Sequence, residues 1–167
     1  MPERRPVSLW TRGVVMSGLA VLLTGALAGC TGSVEIDSPD VDPETRSACA
    51  RFLDVVPEKV SDERQRRTEP NDALGAAWGD PAIVVTCGVD MPTEFDEFSP
   101  CEEVNGVGWF IPETAYTEPD KLTSITTIGW SPAVRIDLPP EYRPPAEVLV
   151  EIGAAVKKTL TQTKPCV

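Results

Sequence analysis

Cysteines and carboxylates are the residues of this sequence that could do chemistry, because its 167 residues include no histidine. Histidine is the usual general base at neutral pH and the commonest metal ligand. Its absence excludes serine or cysteine nucleophiles that a histidine activates, and it excludes zinc hydrolase sites built on histidine. The chemistry that remains open is that of carboxylates, lysine or tyrosine acting without histidine.

The first of the five cysteines, Cys30, follows a segment with the features of an export signal. Residues 1–12 carry three arginines and one glutamate, and residues 13–27 form an apolar run interrupted only by a serine and a threonine. A basic start and an apolar run of this length are typical of a signal peptide. The run ends in Leu27-Ala28-Gly29-Cys30, which resembles the lipobox of bacterial lipoproteins. The sequence therefore predicts a signal peptide over residues 1–29 and a lipid attached to the thiol of Cys30.

A lipid on Cys30 predicts a location at the outer face of the cytoplasmic membrane, because two acyl chains hold a protein on a bilayer. Removal of residues 1–29 leaves 12 basic and 25 acidic residues, so the net charge changes from −11 to −13. A surface of that sign repels phosphate backbones and anionic lipid head groups. We therefore expect membrane association through the lipid alone, and no nucleic-acid partner.

The other four cysteines, Cys49, Cys87, Cys101 and Cys166, are expected to form two disulfides outside the membrane. Four cysteines allow three pairings. No two of them have the Cys-x-x-Cys spacing, so the sequence predicts neither a metal site nor a redox pair. We expect no cofactor.

Six carboxylates are concentrated in one stretch of the chain: Asp90, Glu94, Asp96, Glu97, Glu102 and Glu103. Two carboxylates can hydrolyse a glycosidic bond, but such a site needs a deep cleft that shifts the pKa of one of them. A small single domain has little room for that cleft. Phe95 and Phe98 among the acids instead indicate an exposed loop that a protein partner could bind.

The most distinctive stretch is Trp78-Gly79-Asp80-Pro81. It could present an indole and a carboxylate to a ligand, or it could be a turn into a strand with Trp78 in the core. Trp109 has the same two interpretations, and we favour the core for both tryptophans. The candidate binding surface that the sequence offers consists of Trp78, Asp80, Phe95, Phe98 and Trp109.

These residues must be positioned by one domain, which we place at residues 43–167. Residues 30–42 combine acidic residues and prolines without apolar periodicity, which predicts a lipidated cysteine followed by a flexible tether. Asp42-Pro43-Glu44 is typical of a helix start, and the helix ends before Pro57. A second helix follows Pro144-Pro145, with apolar residues at helical spacing from Val148 to Leu160.

Four strands are expected between the two helices. Residues 82–88 form an apolar run typical of a buried central strand. Asn105-Gly106 predicts a tight hairpin leading into residues 108–111, and residues 122–128 and 133–138 alternate like an antiparallel pair with one wet face. Residues 58–70, which include Arg64, Arg66 and Arg67, are either a loop or a polar edge strand. This basic patch could recognise an acidic partner or a lipid head group, but we favour a solvated segment. The predicted fold is α+β, a two-layer sandwich with an antiparallel sheet of about four strands covered by an N-terminal and a C-terminal helix.

The cysteines fit this arrangement in one pairing better than in the others. Cys49 is expected on the inward face of the first helix and Cys87 at the end of the central strand, so both should meet in the core. Cys101 and Cys166 are expected in a loop and a C-terminal tail. The placement favours Cys49 with Cys87 and Cys101 with Cys166, and the other two pairings stay open.

Four stretches of the sequence carry a resemblance: Ala77-Trp78-Gly79-Asp80-Pro81, the Cys87-Gly88-Val89 that follows, Val104 to Trp109, and the helix pattern up to Pro57. Together they resemble an uncharacterised family of actinobacterial secreted and lipid-anchored envelope proteins. The resemblance covers almost the whole exported domain. It implies that members share a helix cysteine and a strand cysteine, which supports the pairing of Cys49 with Cys87. It implies no activity, since the family is a domain of unknown function.

The sequence favours a non-catalytic cell-envelope lipoprotein, which binds an envelope protein or a cell-wall component through its small disulfide-bonded domain. The alternative is a small carboxylate-dependent hydrolase that acts on cell-wall glycan.

Overall fold

The computed structural model describes residues 32–96 and 98–166. The predicted signal peptide, the lipid site Cys30 and Glu97 lie outside these residues. No helix within the described ranges is long and apolar enough to cross a membrane.

The described chain contains three α-helices, one short 3-10 helix and twelve strands. The helices are α1 (Pro43–Leu53), α2 (Thr114–Thr117) and α3 (Ala146–Thr159), and the 3-10 helix is Pro140–Tyr142. The strands are β1 (Val34–Glu35), β2 (Lys59–Val60), β3 (Glu63–Arg66), β4 (Thr68–Glu69), β5 (Gly75–Trp78), β6 (Ile83–Cys87), β7 (Glu102–Val104), β8 (Val107–Phe110), β9 (Thr123–Ile128), β10 (Trp130–Ser131), β11 (Val134–Leu138) and β12 (Thr161–Gln162).

Eight strands form one antiparallel sheet in the order β2-β3-β5-β6-β11-β9-β8-β7. Two further pairs, β1 with β4 and β10 with β12, stand apart from this sheet. The predicted α+β class with an antiparallel sheet is confirmed, whereas the expected number of about four strands is wrong. Residues 58–70, for which a loop or a polar edge strand was expected, contain the short strands β2, β3 and β4, whereas β5, made mostly of glycine and alanine, was not expected.

The strands that the sequence did predict lie where expected. The turn at Asn105-Gly106 has positive φ values of 51° and 78°, and it joins β7 to β8. Asparagine and glycine tolerate such values, which suit the twist of a two-residue hairpin. The strands β9 and β11 form an antiparallel pair, with Ile125 opposite Ile136.

The core lies between the sheet and the helices α1 and α3. Val85, Ile125 and Ile136 align across three strands and are buried on the side of the sheet that faces the helices. The disulfide between Cys49 and Cys87 fastens α1 to this side of β6. Gly153 of α3 lies against Val107 and Trp109 of β8, which places the helix directly on the sheet.

The opposite face of the sheet is not the wet face that the alternating pattern predicts. Thr86 and Thr126 lie on either side of Arg135 in the register of this face, and both threonines are buried. Loop segments cover parts of it, with Ile36 over Gly75 and Phe95 against Phe110. The arrangement is therefore more than the predicted two layers, because irregular segments form a partial third one.

The first helix begins as its sequence predicts and ends early. Asp42 caps it, since its Oδ1 accepts hydrogen bonds from the backbone N–H groups of Glu44 at 2.9 Å and Thr45 at 3.0 Å. The helix ends at Leu53, four residues before Pro57. The intervening Val55 and Val56 are β-branched, and the residue before a proline disfavours the helical conformation.

The tether expected at residues 30–42 is attached to the domain throughout its described part. The N–H of Val34 donates to the Arg67 carbonyl at 2.9 Å, and the N–H of Ile36 donates to the Glu69 carbonyl at 2.8 Å. Ile36 is only 3% exposed. The expectation of a flexible tether is corrected here, because two apolar residues in a short acidic segment are enough to dock it against a glycine of β5.

Candidate functional site

The two tryptophans of the sequence-derived binding surface lie in the core. Trp78 and Trp109 are both 0% exposed, and the indole N–H of Trp78 donates to the Pro57 carbonyl at 3.0 Å. Neither side chain can meet a ligand at the surface. Their place in the candidate binding surface is corrected, and the interpretation of both as core aromatics fits the structure.

The other three residues of that surface do not form one patch. Asp80 is 75% exposed at its side chain, and Phe98 is 85% exposed. Phe95 is half-buried, because its ring packs edge-to-face on Phe110 with 5.5 Å between the ring centroids. Asp80 follows β5 and Phe98 precedes β7, and four strands of the sheet separate β5 from β7.

The Trp78–Pro81 turn is held by Tyr142. Its phenol O–H donates to the Pro81 carbonyl at 2.9 Å. Burial and the neighbouring Glu63 carboxylate raise the pKa of Tyr142, so the phenol keeps its proton and the hydrogen bond. Gly79 has a φ of 74°, and the Tyr142 hydroxyl occupies the space that a Cβ would fill. The distinctive motif is therefore explained by a turn that joins β5 to β6.

The acidic stretch places its described carboxylates at the surface. Asp90, Glu94, Asp96, Glu102 and Glu103 are all exposed. Asp96 holds a local turn, since its Oδ1 accepts from the N–H of Phe98 at 2.9 Å and from the Ser99 hydroxyl at 3.0 Å. Across residues 32–96 and 98–166, no group of three or more potential ligands is placed to hold a metal ion.

Both predicted disulfides are present. Cys49 and Cys87 are joined with 5.6 Å between their Cα atoms, and both residues are fully buried. Cys101 and Cys166 form the second disulfide over Gly108 of β8, and both are half-buried. The second bond ties the C-terminal tail to the last hairpin of the sheet.

A polar cluster lies on the loop-covered face of the sheet. The Arg135 Nε lies 3.2 Å from Asp137 Oδ2, and the Ser124 hydroxyl donates to Asp137 Oδ1. Beside it, the buried hydroxyl of Thr126 has no partner among the described residues. Since the arginine and the carboxylate satisfy each other, we interpret this cluster as structural.

An apolar cavity of about 330 Å³ lies where α2, the ends of β9 and β11 and the start of α3 meet. We call it the α2 pocket. Its walls are mainly aliphatic, and Tyr116, whose side chain is largely exposed, lies at its edge. The residues that the argument below uses are Ile111, Ala115, Tyr116, Ile125, Leu138 and Arg143.

Arg143 brings a positive charge into this apolar setting. Its Nη1 and Nη2 donate to the backbone carbonyls of Ala115 and Lys121, the second at 3.1 Å. Its Nε is buried and has no partner, and no carboxylate of the described chain lies within 4 Å of the guanidinium. A half-buried charge without a counter-ion favours an anionic ligand group.

Sequence reasoning missed the α2 pocket, because its residues are spread from Ile111 to Pro145 and become neighbours only in the folded sheet. The one available signal was an arginine directly before the two prolines that start an apolar helix. Pro144-Pro145 was used there only to place the helix.

A second feature lies at the β2–β3 edge of the sheet, where we define the arginine edge as Lys59, Arg64, Arg66 and Arg67. The Arg66 Nη1 donates to the Gly79 carbonyl at 2.9 Å, and its Nη2 donates to the Gly32 carbonyl at 2.6 Å. Asp80 lies 3.7 Å from Arg66. The three arginines border an open cleft of about 600 Å³, whose lining also includes Asp62, Glu63 and Asp80.

A family model described as a protein of unknown function, DUF3515, matches residues 10–165. No curated protein and no solved structure matches the chain. The match spans nearly the whole sequence, and it confirms the resemblance to an uncharacterised family. The chain belongs to the DUF3515 family.

Proposed function

We propose that this protein is a cell-envelope lipoprotein that binds a ligand and catalyses no reaction. Its anchor is a lipid on Cys30, after removal of residues 1–29 as a signal peptide, at the outer face of the cytoplasmic membrane. Its ligand is an aliphatic chain with one anionic group, carried by an envelope protein or a cell-wall component. We also propose that the protein belongs to an actinobacterial branch of its family, whose members carry the signature seen here at Trp78–Pro81 and Cys87–Val89.

The α2 pocket is the observation that supports a binding role. Its volume lies at the lower end of the range for small-molecule sites, about 300–1,000 Å³. Its aliphatic walls, such as Ile125 and Leu138, would stabilise a bound chain by about 0.8 kcal/mol for each buried methylene.

Arg143 supports the anionic part of the ligand. Its two Nη donors are fixed on backbone carbonyls, so the guanidinium is held in one place before a ligand arrives. Each Nη has a second N–H that can donate a charge-assisted hydrogen bond to a carboxylate or similar group. A fixed donor loses little conformational entropy on binding, which favours affinity.

The hydrolase alternative finds less support in the geometry. A glycosidase needs two carboxylates about 5–9.5 Å apart on either side of the substrate. The described carboxylates of residues 90–103 are exposed and border a loop and an edge strand. Changing Asp80, Glu94, Asp96 and Glu102 singly to the amides tests this alternative. If one of them were a catalytic carboxylate, its replacement would abolish turnover of a cell-wall glycan.

The binding role is tested by calorimetry with octanoate and with its neutral analogue octan-1-ol. The chain is used as residues 31–167 without lipid, since these contain the whole described core and no attached acyl chain then competes. We expect octanoate to bind more tightly than octan-1-ol. Arg143→Gln should lower octanoate affinity about tenfold or more and leave octan-1-ol unchanged, because charged hydrogen bonds contribute about 1.5–3 kcal/mol.

Ala115→Leu should fill the pocket and remove binding of both probes, while Arg46→Gln, an exposed residue of α1, serves as the matched charge control. Far-UV circular dichroism checks that each variant is folded. Equal octanoate affinity in the wild type and the Arg143→Gln variant would refute the proposed ligand class. The anchor is tested separately, by incorporation of labelled palmitate that Cys30→Ala should abolish.

A further inference from the structure

We infer that the arginine edge lies on the bilayer surface and binds anionic phospholipid head groups, so that the domain is held in one orientation on the membrane. This rests on the proposed function in one respect, the lipid on Cys30. It concerns the arginine edge and is independent of the α2 pocket.

The first step is the place where the chain leaves the domain. Gly32 is held by Arg66, whose Nη2 donates to the Gly32 carbonyl at 2.6 Å. Two residues later, β1 pairs with β4, and Ile36 is buried against Gly75. The segment from Gly32 onward is therefore fixed to the same sheet edge that carries the arginines.

The second step is the reach of the remaining chain. A residue spans at most about 3.3–3.6 Å, so the two-residue connection before Gly32 can be no longer than about 7 Å. A flexible tether over residues 30–42 would have had a root-mean-square length of about 20 Å. The Debye length is about 8 Å at physiological salt, so a flexible tether would have left the domain largely outside the surface field of the membrane. Because the segment from Gly32 onward is docked, the arginine edge lies within the surface field of the membrane.

The third step is the direction of the charges. Lys59 lies opposite Arg64, and Arg64 and Arg66 are two residues apart on β3, so all three share one face. It is the face on which the anchor segment runs. Glu63 lies opposite Val60, whose side chain is in the core, so this carboxylate points away from that face.

The fourth step is the balance of nearby charge. Asp80 offsets part of the charge of Arg66. Lys59, Arg64 and Arg67 are exposed, and they form no ion pair within 4 Å among the described residues. Asp62 lies in the β2–β3 turn at the end of this edge. Because the rest of the exported chain is strongly acidic, an anionic bilayer repels its other surfaces and favours contact through the arginine edge.

The experiment uses the mature lipidated protein reconstituted in vesicles of phosphatidylcholine, with or without phosphatidylglycerol. Hydrogen exchange is followed in the peptide covering residues 59–67. We expect slower exchange on the anionic vesicles, and added salt should abolish the difference. Arg64→Gln with Arg67→Gln should reduce the protection about fivefold for each charge removed.

The matched control is Lys158→Gln with Lys164→Gln, which removes the same charge from two exposed lysines outside the arginine edge. This variant should keep the protection. Exchange in α3 core amides verifies that both variants are folded. Equal exchange of residues 59–67 on the two vesicle types, or equal loss in the control variant, would overturn the inference.

Mass spectrometry of the N-terminal peptide separates this result from the proposed function. If Cys30 carries no lipid, the proposed anchor is wrong and the inference fails with it. If Cys30 carries lipid and the exchange does not depend on phosphatidylglycerol, the inference alone is wrong. Binding of octanoate at the α2 pocket is decided by neither outcome.

Discussion

Removing the buried disulfide should destabilise the domain more than removing the half-buried one. The Cys49–Cys87 bond closes a loop of 38 residues, and the loop-entropy relation gives about 4 kcal/mol for that closure. Both cysteines are fully buried, so replacing them with alanine also leaves small cavities that cost about 1–2 kcal/mol. The total of about 5–6 kcal/mol is comparable with the whole stability of many domains, about 5–15 kcal/mol.

The matched comparison is the second disulfide. Cys101–Cys166 closes a loop of 65 residues, for which the same relation also gives about 4 kcal/mol. Because Cys101 and Cys166 are only half-buried, replacing them with serine should leave no large cavity and add little to the loss of stability. Urea unfolding followed by circular dichroism measures both double variants, Cys49→Ala/Cys87→Ala and Cys101→Ser/Cys166→Ser. The reasoning is refuted if the buried pair costs less than the half-buried pair, or if its loss costs under about 2 kcal/mol.

Three further expectations concern individual positions. Gly75→Ala should destabilise by about 1–3 kcal/mol in urea unfolding, because its Cβ would clash with the Val85 carbonyl oxygen; a neutral result would contradict the close packing. Gly106→Ala should cost only about 1–2 kcal/mol in the same assay, from the positive φ of 78°, since the surrounding space is open. The Thr45 hydroxyl and backbone N–H groups lower the pKa of Asp42 below its ordinary value of 3.8. The stabilisation by the ionised carboxylate is therefore complete above pH 3.8, and it is lost as the pH falls through the lower pKa of the folded state. Asp42→Asn should therefore lower stability near neutral pH and approach the wild type in acid, as thermal unfolding against pH would show.

The helices α1 and α3 and the disulfides were predictable because each depends on strong local signals, whereas the single turn α2 was not predicted. Asp42 followed by proline and glutamate predicts a capped helix start, and the structure shows that cap. The apolar stripe of α3 likewise follows from residue spacing alone. Once α1 and β6 are in place, Cys49 and Cys87 need only the fold class to become neighbours.

The missing strands of the sheet were not predictable because tertiary contacts alone form them. β5 reads Gly-Ala-Ala-Trp, and glycine and alanine have low strand propensity. It is a strand because β3 and β6 pair with its two edges, and its glycine leaves room for Ile36 to pack over Gly75. For the same reason the α2 pocket, which is assembled from four separate segments, has no sequence pattern of its own.

Net charge is a sum, and it cannot show how a strand distributes charge between two faces. Residues 63–66 of β3 read Glu-Arg-Gln-Arg, which contributes one net positive charge to the sequence. In the sheet, the alternation of side chains places both arginines on one face and the glutamate on the other. The expectation that an acidic protein avoids anionic lipid therefore comes from the net charge of the whole domain, whereas the proposal for the arginine edge comes from the local charge of one strand face. If the proposed anchor is correct, the charge that this edge presents to a membrane depends on the register of one edge strand and on the two-residue connection from Gly32 to Cys30.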